Sequence, residues 1–155
     1  MRWWHAAVHT GIAVIGLVFA VTTEDLDRFY RWDEAVYASQ FSAVVEPAGW
    51  GPQRSPGMAY LAAPVTLLTD SAFALRLWVA TLGSITCALG FWIWSCSIGI
   101  AGVAGHGLFI ASGLVVVYTT EIYPNIWLAH AGLITVGLAV GPWKSRRWIA
   151  ALAMA

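Results

Sequence analysis

Four apolar runs, at about residues 6–22, 72–94, 98–118 and 122–140, dominate this chain, and each comes close to or reaches the roughly 20 residues an α-helix needs to cross a bilayer. Charge avoids them: seven of the eight carboxylates fall between residues 24 and 70, in the stretch that separates the first run from the second. With 59% hydrophobic residues, 10% charged residues and a mean hydropathy of +0.71, the chain carries more apolar surface than a soluble core needs. It reads as an all-α, polytopic membrane helix bundle. The net charge of +0 offers no electrostatic case for a nucleic-acid partner. Cys87 and Cys96 lie in or beside one apolar run without metal-type spacing, and are expected to be inert packing residues.

Arg2, Trp3 and Trp4 precede the first run, a cation and aromatic rings suited to an inner membrane interface. The run is longer than a usual signal core, although Val18-Phe19-Ala20 would suit a signal peptidase. A retained span places the N-terminus in the cytoplasm, residues 23–71 on the outer face, and the cluster Lys144, Arg146 and Arg147 inside, as the positive-inside rule prefers. The expected location is therefore the cell membrane, multi-pass. Residues 148–155 begin a further apolar helix of about 12 Å, well short of a hydrocarbon core of about 30 Å, so the chain reads as an incomplete membrane domain. Gly99, Gly102, Gly105, Gly107 and Gly113 in the third run favour close helix packing, and His106 among them is expected to be a buried hydrogen-bonding residue.

Within the outer loop two pieces read as interfacial helices. One covers Asp33 to Val45, with Asp33, Tyr37, Phe41 and Val44 on one face. The other begins at the cap Ser55-Pro56 and runs to Thr69, bent at Pro64. Both suit a surface where a site meets membrane lipid.

Asp33-Glu34 at a helix start can simply favour the helix dipole, or can supply a general base or metal-binding carboxylate. Glu121, the one acid outside the loop, falls in the turn between the third and fourth runs and so on the same membrane face. Converging on Asp33, it would complete a metal or acid/base pair; alone, it is a solvated helix start. Arg76, about one turn into the second span, must pair with an acid such as Asp70, bind a phosphate, or snorkel.

A first span, then Asp33-Glu34-Ala35-Val36-Tyr37-Ala38, a proline-bearing interfacial helix, Phe73-Ala74-Leu75-Arg76-Leu77 opening the second span, and the turn Glu121-Ile122-Tyr123-Pro124-Asn125 together resemble the membrane glycosyltransferases of the GT-C fold, of the protein O-mannosyltransferase and lipid A aminoarabinose transferase type. The resemblance covers residues 6–142. It implies the N-terminal portion of a GT-C fold and inverting transfer of a sugar from a polyprenyl-phosphate donor to an acceptor on the non-cytoplasmic face. By this analogy Asp33 and Glu34 are the catalytic residues, Arg54, Arg76 and Tyr37 bind substrate, and Glu121 with Asp33 is the place for a divalent metal. Where such proteins often carry a His-Pro-Pro-like segment, this chain has Arg54-Ser55-Pro56-Gly57, so no histidine role carries over. Family members are also much longer. The competing expectation is a non-catalytic membrane module that packs on a larger enzyme, either the remainder of a longer transferase or a partner subunit.

Overall fold

The structure, a computed structural model, describes residues 3–51, 54 and 56–141. The Lys144–Arg147 cluster, the apolar segment 148–155 and the Ser55 cap lie outside the described residues. Among those described, the chain is all-helical: α1 (Trp3–Thr23), α2 (Trp32–Ser39), α3 (Pro56–Thr66), α4 (Ala72–Ile98), α5 (Ile100–Ile110), α6 (Gly113–Thr120) and α7 (Pro124–Val140). Two of them, α1 with 21 residues and α4 with 27, are long and apolar enough to cross a membrane.

Helix α4 is the axis of the bundle, in contact with α1, α3, α5, α6 and α7. Ser71 caps it, its hydroxyl accepting from the Ala74 N–H at 3.2 Å, and Gly99 ends it. Gly99 has φ +62°, which L side chains rarely adopt, and its N–H donates to the Ser95 carbonyl at 3.0 Å. That one residue reverses the chain directly into α5, and the hairpin closes so tightly that a Cβ on Gly102 would stand 2.8 Å from the Ser95 nitrogen and 2.9 Å from its Cα. Gly16 against Ile110, Gly90 against Leu133 and Gly137 against Ile93 and Trp94 hold the other crossings equally close. Of the five glycines expected to serve packing, Gly102 and Gly105 do; Gly107 and Gly113 border open space.

The third expected span divides. Helix α5 stops at Ile110, Ser112 adopts extended backbone with ψ 120°, and α6 starts anew at Gly113. Ala111, Ser112 and Gly113 present no large side chain whose burial would carry a helix through this point, and glycine weakens it further. The first interfacial helix is also shorter than its apolar spacing suggests, ending at Ser39 so that Phe41 and Val44 lie beyond it. Side chains compete with the backbone here. Ser39 Oγ accepts from the Ala48 N–H, the Gln40 amide donates to the Val36 and Ala48 carbonyls, and Ser42 Oγ accepts from the Val44 and Val45 N–H groups while donating to Asp70. The second, α3, keeps Pro64 inside the helix and ends at Thr66, three residues before the expected limit.

These loop helices dock on the loop end of α4. Tyr37 and Ala38 of α2, Met58 and Ala62 of α3, Leu75 and Val79 of α4, and Ile122 form one buried apolar cluster, and the Trp78 indole donates to the Leu61 carbonyl at 3.0 Å. The loop is thus a packed cap with a fixed position relative to the bundle.

Gly102→Ala drives a methyl group into the backbone of α4 and is expected to cost about 1–3 kcal/mol, the range for overpacking. Gly107→Ala meets no atom within 4 Å and should stabilise the helix by up to about 1 kcal/mol. Chemical unfolding of both variants in detergent, followed by circular dichroism, tests the pair.

Candidate functional site

At the end of the bundle where α1 delivers the chain into its loop, where α4 begins and where α6 turns into α7, three buried charged side chains, Glu34, Arg76 and Glu121, meet the partly exposed Arg28 and the exposed Arg31. Arg76 and Glu34 are both 0% exposed. All five donors of the Arg76 guanidinium are engaged: Nε and Nη2 donate to the two Glu34 oxygens at 3.3 and 2.9 Å, Nη1 to the carbonyls of Leu26 and Arg28 at 2.9 and 2.6 Å, and Nη2 also to the Phe29 carbonyl at 3.3 Å. Tyr30 covers the guanidinium, its ring centroid 5.4 Å from Cζ. Arg76 therefore does two things at once. It neutralises Glu34, and it fixes the path of the chain between α1 and α2 through three backbone carbonyls.

Glu34 is at the third position of α2, and its Oε2 also accepts from the Arg31 N–H at 3.0 Å, satisfying a backbone donor that the helix start leaves open. Arg28 Nη1 adds a longer contact at 3.3 Å. Burial pushes the Glu34 carboxyl up, but the bonds from Arg76 and the Arg31 N–H, with the charges of Arg76 and Arg28, outweigh it and hold the group below the usual carboxylate range.

Glu121 sits in the α6–α7 turn, 1% exposed. Its Oε1 receives Arg28 Nη2 and Arg31 Nη1, each at 2.8 Å, whereas its Oε2 is buried without a partner among the described residues. Here burial prevails over Arg31 and Arg28, with Glu34 and Glu24 adding repulsion, and the carboxyl is pushed above its ordinary value. Arg28 thus bridges two acids that lie far apart in sequence.

Asp33, next to Glu34 in the chain, faces elsewhere. Its side chain is 50% exposed and its Oδ1 accepts from Arg54 Nη2 at 2.7 Å. Tyr37 stands one turn further along α2, buried in the apolar cluster and edge-on to Trp50 with ring centroids 5.8 Å apart.

The structure brings together Glu34, Arg76 and Glu121, and separately Asp33 and Arg54. The acid that Glu121 meets through a shared arginine is Glu34, while Asp33 turns to Arg54. Asp70, the sequence's candidate partner for Arg76, instead accepts from Ser42 at 2.7 Å. With every donor used and no exposed surface, Arg76 has none left for a lipid phosphate, and Glu34 has none of its surface open to an acceptor. In this arrangement each is taken up by the other and by the chain around it. Asp33 and Glu121 each commit an oxygen to arginine, and among the described residues no three His, Cys, Asp or Glu side chains converge to hold a metal ion. Among the described residues, then, no further ligand gathers with Asp33 and Glu121 at the place the resemblance implies for a divalent metal.

Sequence reasoning passed over Arg28, Arg31 and Tyr30. The available signal was charge balance: two acids entering a buried region require cations, and Arg28 and Arg31 are the cations in the same loop. Comparison with protein-family models, with curated proteins and with solved structures finds no match to this chain.

Glu34→Gln leaves the buried Arg76 without its counter-charge and is expected to destabilise the fold by about 3–5 kcal/mol, measured by chemical unfolding in detergent. The pH dependence follows the same group. Because the Glu34 carboxyl titrates lower folded than unfolded, its contribution is complete above its unfolded value and is lost as pH falls through its folded value. Melting curves recorded down a series of acidic buffers should therefore fall for the wild type and lose that component in Glu34→Gln.

Proposed function

We propose that this chain is the N-terminal portion of a polytopic, lipid-linked sugar transferase in the cell membrane, with its N-terminus cytoplasmic and residues 23–71 on the non-cytoplasmic face. The observation that carries this reading is the division of labour within Asp33-Glu34. One carboxylate of the pair is sealed into an arginine clasp, and the other is presented at the surface beside a second arginine. An enzyme that takes a proton from an acceptor hydroxyl needs an open base in a fixed place, and the clasp supplies the fixing.

In this reading Asp33 accepts the proton of the acceptor hydroxyl as the oxygen bonds to the anomeric carbon of the sugar. The bond from that carbon to the phosphate oxygen breaks on the opposite face, and its electron pair leaves with the lipid phosphate. In this reading Arg54, which pairs with Asp33 at 2.7 Å, is the cation that would balance the charge gained by that leaving group. A phosphate is already a good leaving group, so one base and one cation meet the main demands. The apolar helices α1 and α4, and the shorter α5 and α7, would hold this cap at the membrane surface where a lipid-borne donor is found.

The pairing of every acid in the buried clasp with arginine also supports a second reading, a membrane module whose loop is stabilised for docking on a larger enzyme.

Asp33→Asn separates the two. In full-length protein or a reconstituted complex assayed with a polyprenyl-phosphate sugar, loss of the base should lower turnover by about 10²–10⁴, the usual scale of general-base catalysis. Stability should change by less than about 1 kcal/mol, because the Asp33–Arg54 pair is partly solvated. Wild-type turnover in the variant would favour the docking module.

A further inference from the structure

Helix α2 turns a second face, away from Asp33, toward a cavity of about 190 Å³ within the cap. Ala35 and Ala38 form one wall of it, and its polar groups come from Tyr30, Ser39, Ser42, Thr66 and Asp70. At about 100° per residue, Asp33 and Ala35 point roughly 160° apart around the helix, so an acceptor or donor held at Asp33 lies on its other side. What the cavity binds therefore does not rest on sugar transfer. Its volume is also below the roughly 300–1,000 Å³ of sites for drug-sized ligands, which limits the occupant to a small group.

The lining calls for a cation with donors. Asp70 is the one charged residue on it, and Ser42 donates to Asp70 Oδ1 at 2.7 Å while the second oxygen has no partner among the described residues. Ser71 makes the α4 cap itself, so the Asp70 carboxylate is not spent on the helix start. The Tyr30 hydroxyl makes no hydrogen bond among the described residues. Burial pushes that phenol up against the pull of Arg76, with Glu34 and Asp70 adding to burial, so it keeps its proton at neutral pH and its oxygen is a neutral acceptor. Thr66 donates only a long bond, 3.4 Å to the Ala62 carbonyl, and its oxygen can still accept. The other two hydroxyls are taken: Ser39 donates to the Val36 carbonyl and accepts from the Ala48 N–H, and Ser42 accepts from the Val44 and Val45 N–H groups besides donating to Asp70. Three acceptors with capacity left match a primary ammonium, which brings three N–H donors, a positive charge and no acceptor.

The surroundings indicate where that ammonium comes from. Asp70 stands two residues before the first residue of α4, the longer of the two helices able to cross a membrane, which sets the cavity at the depth of lipid headgroups. Val45 lines the cavity, Leu67 and Leu68 lie in the chain between its lining residues Thr66 and Asp70, and Val44 and Leu68 are 79% and 85% exposed. The Ser42–Asp70 bond ties these two turns together, so an apolar rim is fixed beside a polar pocket. A soluble amine has no use for such a rim, whereas a lipid carries an ammonium and acyl chains in one molecule.

We propose that this cavity binds the primary ammonium of an aminophospholipid headgroup of the phosphatidylethanolamine type, with Asp70, Tyr30 and Thr66 accepting its N–H groups and Val44, Val45, Leu67 and Leu68 meeting its acyl chains.

Native mass spectrometry of the protein released from nanodiscs tests the site, the discs holding phosphatidylethanolamine, its N,N-dimethyl derivative, phosphatidylcholine and phosphatidylglycerol with identical acyl chains. Retention is expected to fall as N–H donors are replaced by methyl groups, with phosphatidylethanolamine favoured over phosphatidylcholine by about tenfold, the scale of one charge-assisted hydrogen bond. Asp70→Asn, which can still accept from Ser42, should remove most of that advantage. Tyr30→Phe, which keeps the ring over Arg76, should reduce it, and Asp27→Asn, at an exposed acid of the same loop, should leave it unchanged. Phosphatidylcholine or phosphatidylglycerol retained as well as phosphatidylethanolamine would overturn the assignment, and so would an advantage that survives Asp70→Asn. Free ethanolamine at millimolar concentration should leave the lipid bound; displacement by it would overturn the lipid assignment in favour of a soluble amine. If Asp70→Asn does not fold, the methylated series on the wild type decides the matter alone.

Discussion

The buried pair Arg76–Glu34 is the constraint on which the loop and its site depend. A guanidinium placed one turn inside an apolar helix cannot remain there bare, because desolvating it costs several kcal/mol. Its five donors recruit one carboxylate and three carbonyls from residues 26–34, and this converts a polar connection into a shaped cap. The apolar cluster around Leu75, Val79 and Ile122 then seals the cap on α4. Asp33 inherits its position from this arrangement, being the next residue to one that cannot move.

Below the clasp the bundle is organised by an opposite logic. Its helices approach through glycine and are joined by neutral polar contacts: His9 with His106 and Ser95, Thr86 with His130, and the Trp94 indole with the Leu133 carbonyl at 2.9 Å. Hydrogen bonds of this kind place helices laterally where apolar packing alone gives little direction. Among the described residues the ion pairs thus gather at one end and the neutral polar contacts along the core.

Helix class and the positions of α1, α4 and α7 were legible from the apolar runs, since burial and length follow directly from composition. The burial of His106 was legible too, from its glycine neighbours. The break between α5 and α6 was not, because Ala111, Ser112 and Gly113 continue an apolar pattern that says nothing about whether their small side chains hold a helix. The early end of α2 was hidden in hydroxyl and amide side chains at Ser39, Gln40 and Ser42, whose bonds to backbone depend on where residues 44–48 return. At the site, Asp33, Glu34, Arg76 and Glu121 were identified by residue type and rarity. Their grouping was not, since adjacent residues on a helix point about 100° apart and only the tertiary fold decides which faces inward.

The network also sets an order of assembly. Arg76 follows Glu34 by 42 residues, so their pair can close once the beginning of α4 has been synthesised. Arg28 must wait for Glu121, 93 residues later. During synthesis from the N-terminus the loop can therefore acquire its shape while Arg28 still faces water. The arrival of the α6–α7 turn then withdraws that charge and locks the two halves together. A ribosome stalled between these two points would carry a nascent chain with a formed cap and an unlatched bundle.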